Sequence, residues 1–70
     1  GHVREINQEL GIKLIAKDAK TVNGFILEHT ENLPKINDII QIQGHTFKIL
    51  ENIDNAVKTV HLEVNNDKKT

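Results

Sequence analysis

The strongest constraint on the fold is an alternation of apolar and polar residues in the second half of the chain. The alternating apolar positions are Ile40, Ile42, Phe47, Ile49, Val60, Leu62 and Val64. Turn residues interrupt the pattern twice, at Gly44 and at the pair Asp54 and Asn55. Val57 falls off the parity of the last segment, which indicates a bulge or a late strand start. The pattern predicts a three-stranded antiparallel meander with one buried face.

The first half of the chain opens with a helical pattern. Its apolar positions are Val3, Ile6 and Leu10, spaced three and four residues apart. Gly11 follows as the residue most often found just past a helix end, so a helix of about two turns should stop there. An extended connector is then expected to turn Ile12 and Leu14 inward before a polar stretch begins.

A second helix is predicted to begin after Thr21, whose hydroxyl can cap the free N–H groups of the first turn. Its core stripe is Val22, Phe25 and Ile26. Gly24 inside this helix costs about 1 kcal/mol relative to Ala, so we expect a strand to approach closely there. The helix is expected to end at Leu33 and Pro34, because proline pushes the preceding residue out of the helical region. Two helices on one face of a meander predict an α+β fold.

Composition excludes several classes of function. The chain has 70 residues, enough for one small domain, and its net charge of −1 offers no field that would collect nucleic-acid phosphates. Two Phe and no Trp or Tyr leave no stacking platforms for single-stranded nucleic acid. Core packing is the expected role of Phe25 and Phe47. The sequence predicts a domain without a nucleic-acid partner.

No catalytic or metal site is predicted from the residues. The chain lacks both serine and cysteine, which removes the usual nucleophiles. His29, His45 and His61 stand sixteen residues apart, without the close ligand pair typical of zinc sites. Glu28 and Glu31 lie at helical spacing, where a solvated surface face is the expected reading. The scattered glycines form neither a phosphate loop nor a dinucleotide fingerprint, so no cofactor is predicted.

The ordered domain is expected to span residues 3–64. Gly1 and His2 are typical of a remnant left after removal of an expression tag, and the polar tail 65–70 is expected to be disordered. The absence of methionine predicts a piece of a longer protein. A chain this small and without disulfides is expected to gain stability by packing within that protein or by self-association.

Four segments in order give the chain a family resemblance. These are Asn-Gln-Glu-Leu-Gly-Ile at 7–12, Thr-Val-Asn-Gly-Phe-Ile-Leu-Glu at 21–28, Leu-Pro-Lys-Ile-Asn-Asp at 33–38 and Phe-Lys-Ile-Leu-Glu at 47–51. Together they resemble the transporter-associated domain of the CorC and HlyC type, found at the C-terminus of hemolysin-like and magnesium and cobalt efflux proteins. The resemblance spans nearly the whole chain and implies an architecture similar to part of a flavin-binding fold.

Three positions depart from that family's pattern. Asn23 and Asn37 replace glycines, and asparagine can partly imitate glycine because it tolerates positive φ. Ala56 stands where the family often has arginine, which puts any ligand or partner contact of that arginine in doubt. Flavin binding is not carried over, because no phosphate loop or aromatic platform is present.

The resemblance implies a non-catalytic regulatory and interaction domain. It would lie on the cytoplasmic face of the cell membrane, in an integral membrane protein that also carries a transmembrane region and a pair of CBS domains, and modulate ion transport. Its partners would be those domains. Homo-oligomerisation is a further expectation, and an exposed sheet edge is expected to pair with a second copy or with a neighbouring domain. The alternative is a small-ligand sensor that binds an adenine nucleotide or flavin.

Overall fold

The computed structural model describes residues 1–65, and they form the expected α+β fold. Its elements are α1 (Val3–Leu10), α2 (Val22–Leu27), β1 (Ile39–Ile42), β2 (His45–Ile53) and β3 (Ala56–Glu63). The strands lie in chain order in one sheet, and both neighbouring pairs are antiparallel. The predicted meander of three strands is therefore confirmed.

Two tight turns set the register of the sheet. Gln43 and Gly44 have φ values of 51° and 84°, and Asp54 and Asn55 have values of 52° and 61°. Two consecutive residues with positive φ make the hairpin turn whose twist matches that of the flanking strands. Both predicted reversals are confirmed.

The bulge suggested by Val57 is present, as a pair of compensating register shifts between β2 and β3. Leu50 is the extra residue on β2, and Lys58 is the extra residue on β3. The extra residue Lys58 changes the parity of β3, so Val57 points into the core, where it is buried, and Leu50 makes the matching change on β2. The strand itself begins at Ala56, next to the turn.

The core lies between the inner face of the sheet, α2 and the segment 11–21 that joins the two helices, which we call the connector. Its buried members are Val3, Leu14, Phe25, Ile26, Ile42, Phe47, Ile49 and Val57. Both phenylalanines are fully buried, with ring centroids 6.0 Å apart. The predicted core role of Phe25 and Phe47 is confirmed.

Helix α1 ends as predicted, but its last apolar residue is not in the core. Gly11 adopts the left-handed conformation at φ 65° and donates its backbone N–H to the Asn7 carbonyl. Leu10 is 45% exposed. Burial decreases along the helix from Val3 through half-buried Ile6 to Leu10, because only the first turn packs on the core.

Helix α2 begins as predicted and ends earlier than predicted. The Thr21 hydroxyl accepts the Gly24 N–H at 3.1 Å, which confirms the cap. The helix stops at Leu27, well before the proline. The last turn makes i→i−3 hydrogen bonds of the 3₁₀ type. The Glu28 N–H donates to the Phe25 carbonyl, and the His29 N–H donates to the Ile26 carbonyl. Glu28 and Glu31 therefore do not share a helical face, which corrects that prediction.

The expectation of a strand beside Gly24 is wrong. A Cβ added at Gly24 would lie 2.8 Å from the Cβ of Ala19. The close neighbour is thus the connector, which folds back against the start of α2. Glycine is needed there because a side chain and a loop would otherwise occupy the same space.

The two ends of the described chain take part in the fold. The Gly1 carbonyl accepts from the Val22 N–H at 3.1 Å, and His2 forms an isolated bridge with Thr21. Asn65, expected in the tail, donates its N–H to the His45 ring at 3.2 Å. Gly1, His2 and Asn65 thus contact other parts of the described fold, while the tag remnant at residues 1–2 and the tail from residue 65 stay predictions. Residues 66–70 of the predicted tail lie outside the described residues.

Candidate functional site

The candidate site is the outer face of the sheet, opposite the core. Cross-strand pairing places two rows of side chains on this face: Ile39, Lys48 and His61 in one, and Gln41, Thr46 and Glu63 in the other. All of these residues are exposed except half-buried Thr46. The meander thus presents one face to the core and leaves the other open.

Three large aliphatic side chains stand on this open face. Ile39 is 63% exposed, and Leu50 and Ile53 are each 43% exposed. Leu50 follows fully buried Ile49, so alternation turns it outward. Ile53 pairs with Ala56, next to the inward Val57, and also points outward. We call Ile39, Leu50 and Ile53 the outer aliphatic row.

The sheet also carries polar side chains that hydrogen-bond to one another outside the core. Gln41 donates from Nε2 to the Thr46 hydroxyl at 3.0 Å, and the Thr59 hydroxyl donates to the Glu51 carboxylate at 3.0 Å. Asn65 adds a bond from Nδ2 to the same Thr46 hydroxyl at 3.1 Å. An exposed apolar patch with a polar rim is the usual form of a protein–protein contact surface.

A second feature is an open groove of about 850 Å³ between α1 and the connector. Val3, Ala16 and Ala19 are its apolar lining residues, and Arg4 and Lys20 bring positive charge to it. Arg4 and Lys20 could attract an anionic group, whereas Glu5 on the same wall opposes one. The two phenylalanines are fully buried elsewhere, so neither can stack on a flavin or adenine ring in the groove.

The connector that lines the groove is fixed by the carboxylate of Glu28. Its Oε1 accepts the N–H of Lys17 at 2.8 Å, and its Oε2 accepts those of Asp18 and Ala19 at 2.7 and 2.8 Å. The N–H bonds from Asp18 and Lys17 are the main cause that lowers the pKa of Glu28 below its ordinary value of 4.5; the bond from Ala19 and the charge of His29 add to them. Sequence spacing had indicated only a solvated surface glutamate here.

Two amides complete the attachment of the connector. Asn7 donates from Nδ2 to the Leu14 carbonyl at 3.0 Å, and its Oδ1 accepts the Leu14 N–H at 2.8 Å. Gln43 makes the same two-point contact with the backbone of Ile15, at 2.8 Å for each bond. Both amides satisfy backbone groups that the connector cannot pair with a strand. The partners are 7 and 28 residues away, so no local signal could have identified them.

The two asparagines that replace family glycines behave differently. Asn37 has φ 75°, which confirms that it imitates glycine. Asn23 lies inside α2 and does not have positive φ, so that explanation is wrong for it. Its Oδ1 instead accepts the Val57 N–H at 2.7 Å. This bond satisfies one backbone donor near the start of β3, on the side of the strand that faces away from β2. Ala56, at the position of the missing arginine, is half-buried and pairs with Ile53.

The three histidines considered as metal ligands in the sequence lie in different parts of the fold. His29 lies against Phe25, His45 beside its turn, and His61 on the open face of β3. Within residues 1–65 there is no group of three or more histidine, aspartate and glutamate side chains placed to hold a metal ion. Neither helix of that part of the chain has the length and apolar character needed to cross a bilayer.

The fold and its open face can be compared with known proteins. The transporter-associated domain family, CorC_HlyC, matches residues 2–66. This chain belongs to that family. The resemblance carried by residues 7–12, 21–28, 33–38 and 47–51 is thereby confirmed.

Two longer proteins are relatives of this chain. A "UPF0053 protein" of Haemophilus influenzae is 40% identical over 57 residues, which is 81% of this chain, and the "UPF0053 inner membrane protein YfjD" of Escherichia coli is 41% identical over 59 residues, which is 84% of it. The chain spans only 14% of the length of either relative. It therefore corresponds to one small domain of these much longer proteins.

A solved structure of a relative shares the architecture. The crystal structure of a functionally unknown conserved protein from Haemophilus influenzae Rd KW20 superposes with a TM-score of 0.82 at 37% identity. The superposition covers 89% of this chain and 76% of that one. The α+β arrangement of two helices and three strands is thus found in a second protein.

Proposed function

We propose that this chain is a non-catalytic regulatory and interaction domain of a longer membrane protein. In this proposal it lies on the cytoplasmic face of the membrane, contacts a CBS pair or the transmembrane region, and modulates ion transport of the magnesium and cobalt efflux or hemolysin-like type. The membrane location of the relative YfjD supports the setting. The family, described as transporter-associated, supports the link to transport.

The outer aliphatic row is the observation that carries the proposal. A small sheet whose open face holds Ile39, Leu50 and Ile53 has apolar surface that contact with another domain would remove from water. Polar groups around the row can then fix the orientation of that contact.

The proposal is tested by removing the domain from the full-length protein. Ion flux is measured in reconstituted vesicles for the intact protein and for a form lacking residues 3–64, at matched protein content. We expect the rate of flux, or its dependence on ion concentration, to change while the membrane part remains inserted. Identical flux in both forms would contradict a regulatory role.

The alternative function is a small-ligand sensor, and the groove beside α1 favours it. Arg4 and Lys20 could receive a phosphate of an adenine nucleotide or of flavin adenine dinucleotide above the apolar lining. Isothermal titration calorimetry of the chain with each compound tests this, with Arg4→Glu as the control variant. Saturable heat that the variant loses would favour the sensor, and no heat at millimolar ligand would remove it.

A further inference from the structure

Strand β3 is an edge strand whose outer edge is only partly covered. It pairs with β2 on one side, and Asn23 receives the Val57 N–H on the other. Beyond Lys58, no residue of the range 1–65 hydrogen-bonds to the outward main-chain groups of β3. An uncovered edge of this kind is a template for another strand.

The direction of the backbone groups follows from the hydrogen bonds of β2. Ile49 donates its N–H to the Asp38 carbonyl at 2.9 Å and accepts the Asn37 N–H at 2.7 Å, so both its groups point toward the β1 side. Successive residues of a strand alternate in this direction, so Lys48 directs its groups toward β3. Its partner there is His61.

This alternation fixes which groups of β3 are free. His61 and Glu63 use their N–H and C=O groups on β2, as partners of Lys48 and Thr46. Val60 and Leu62 therefore direct theirs away from the sheet, and Val64 continues the same parity. The free edge thus presents donors and acceptors at three alternate residues of the segment Val-His-Leu-Glu-Val, 60–64.

The side chains of this segment are complementary to themselves. An antiparallel copy centred on Leu62 places Leu62 opposite Leu62, Val60 opposite Val64, and His61 opposite Glu63. The residues with free backbone groups then face one another, as a hydrogen-bonded ladder requires. The two polar pairs join an imidazole to a carboxylate, and neutral imidazole can already donate that bond.

We infer that the free edge of β3 pairs with the same edge of a second copy of this chain, in the register centred on Leu62. The half-buried side chains of Val60, Leu62 and Val64 would be buried further on the inner face of a six-stranded sheet. The inferred dimer names a partner and a register for the interaction role proposed above. The inference rests on that role.

The neighbours of the polar pairs permit this register. Lys48 faces His61 from β2, and Thr46 faces Glu63. In the paired sheet the imidazole of His61 of the second copy would lie between the carboxylate of Glu63 and the Lys48 of that copy, which places a cation next to the pair. The other edge has no such pattern, because β1 carries no charged residue that could set a register.

A charge exchange tests the inference. Sedimentation equilibrium of the chain from about 10 μM to about 1 mM should show a monomer–dimer equilibrium, since a five-residue strand addition is a small and weak interface. His61→Glu sets carboxylates opposite each other twice and should weaken the dimer about tenfold. Glu63→Lys should weaken it similarly. The double variant exchanges the charges and should restore association to within about threefold.

Controls separate this result from loss of the fold. Gln41→Glu makes the same charge change as His61→Glu on the outer face of β1, and association should stay within about twofold of the original. Circular dichroism of each variant reports whether the sheet persists. A monomer at about 1 mM, or a dimer that neither single variant weakens, would overturn the inference. Either result leaves the regulatory role open, because that role is judged by ion flux.

Discussion

The side chain of Asn23 accepts a hydrogen bond from the backbone of Val57, 34 residues further along the chain, at 2.7 Å. This bond joins α2 to the first part of β3, and it satisfies a backbone donor that would otherwise lie open at the sheet edge. The amide belongs to a residue that replaces a family glycine, so the replacement adds a contact that glycine cannot make.

Asn23→Ala is expected to lower the free energy of unfolding by about 1 kcal/mol, since a part-buried backbone donor loses its partner. Urea unfolding followed by circular dichroism measures the loss. Asn32→Ala, at an exposed asparagine, is the control and should change stability by less than about 0.5 kcal/mol. Amide exchange at Val57 should accelerate in the first variant alone; unchanged exchange there would count against the bond.

Glu28→Gln is expected to destabilise the connector, because a neutral amide replaces a carboxylate that accepts three backbone N–H groups. The pKa of Glu28 is lowered in the folded state by those bonds. Its contribution is therefore fully present above the ordinary value of 4.5 and is lost as the pH falls through the lower folded-state pKa.

Thermal unfolding between pH 7 and pH 3 measures this contribution. The stability difference between the original chain and Glu28→Gln should be constant near neutrality and should shrink at the acid end. Glu31→Gln, at an exposed neighbour whose carboxylate accepts no hydrogen bond within residues 1–65, should give no such trend. A Glu28→Gln difference that grows on acidification would show that the carboxylate is not held as described.

Gly24→Ala is expected to destabilise the fold although alanine favours helices by about 1 kcal/mol. The new Cβ would lie 2.8 Å from the Cβ of Ala19, on a connector that Glu28 holds in place. Such overpacking costs about 1–3 kcal/mol, so the net loss should be about 1 kcal/mol.

Removing the obstacle provides the control for that substitution. In an Ala19→Gly background the 2.8 Å contact is removed and the nearest neighbour of the new Cβ is the Thr21 hydroxyl at 3.3 Å, so Gly24→Ala should be clearly less destabilising in urea unfolding. A loss of the same size in both backgrounds would mean that the connector is not what requires a glycine at position 24.

Short-range patterns predicted the sheet well because its information is local. Gly44 and the pair Asp54 and Asn55 adopt the positive φ values that their turns require, and the alternation around Phe47 is the core face itself. The end of α2 was mislocated because Pro34 is a strong stop signal, whereas the actual end is set by a tightening of the last turn at Glu28.

The attachments of the connector could not be predicted because each joins a side chain to backbone that is remote in sequence. Asn7, Gln43 and Glu28 have ordinary solvent-facing sequence contexts, and only the folded chain brings their amides and carboxylate to the connector. The outer aliphatic row was missed for a related reason. The bulge at Leu50 and the second shift at Lys58 decide that Ile53 points outward, and neither shift can be placed from alternation alone.

The decisive measurement is ion flux through the full-length protein with its open sheet face altered, because it tests whether that face is the contact surface of a regulatory domain. Ile39→Lys with Leu50→Lys replaces two exposed aliphatic groups by charges without touching the core, and Arg4→Glu with Lys20→Glu reverses the charge of the groove instead. If the sheet face is the contact surface, the sheet-face pair should reproduce the effect of deleting residues 3–64 while the groove pair behaves as the intact protein. Normal flux from the sheet-face pair, together with altered flux from the groove pair, would contradict it.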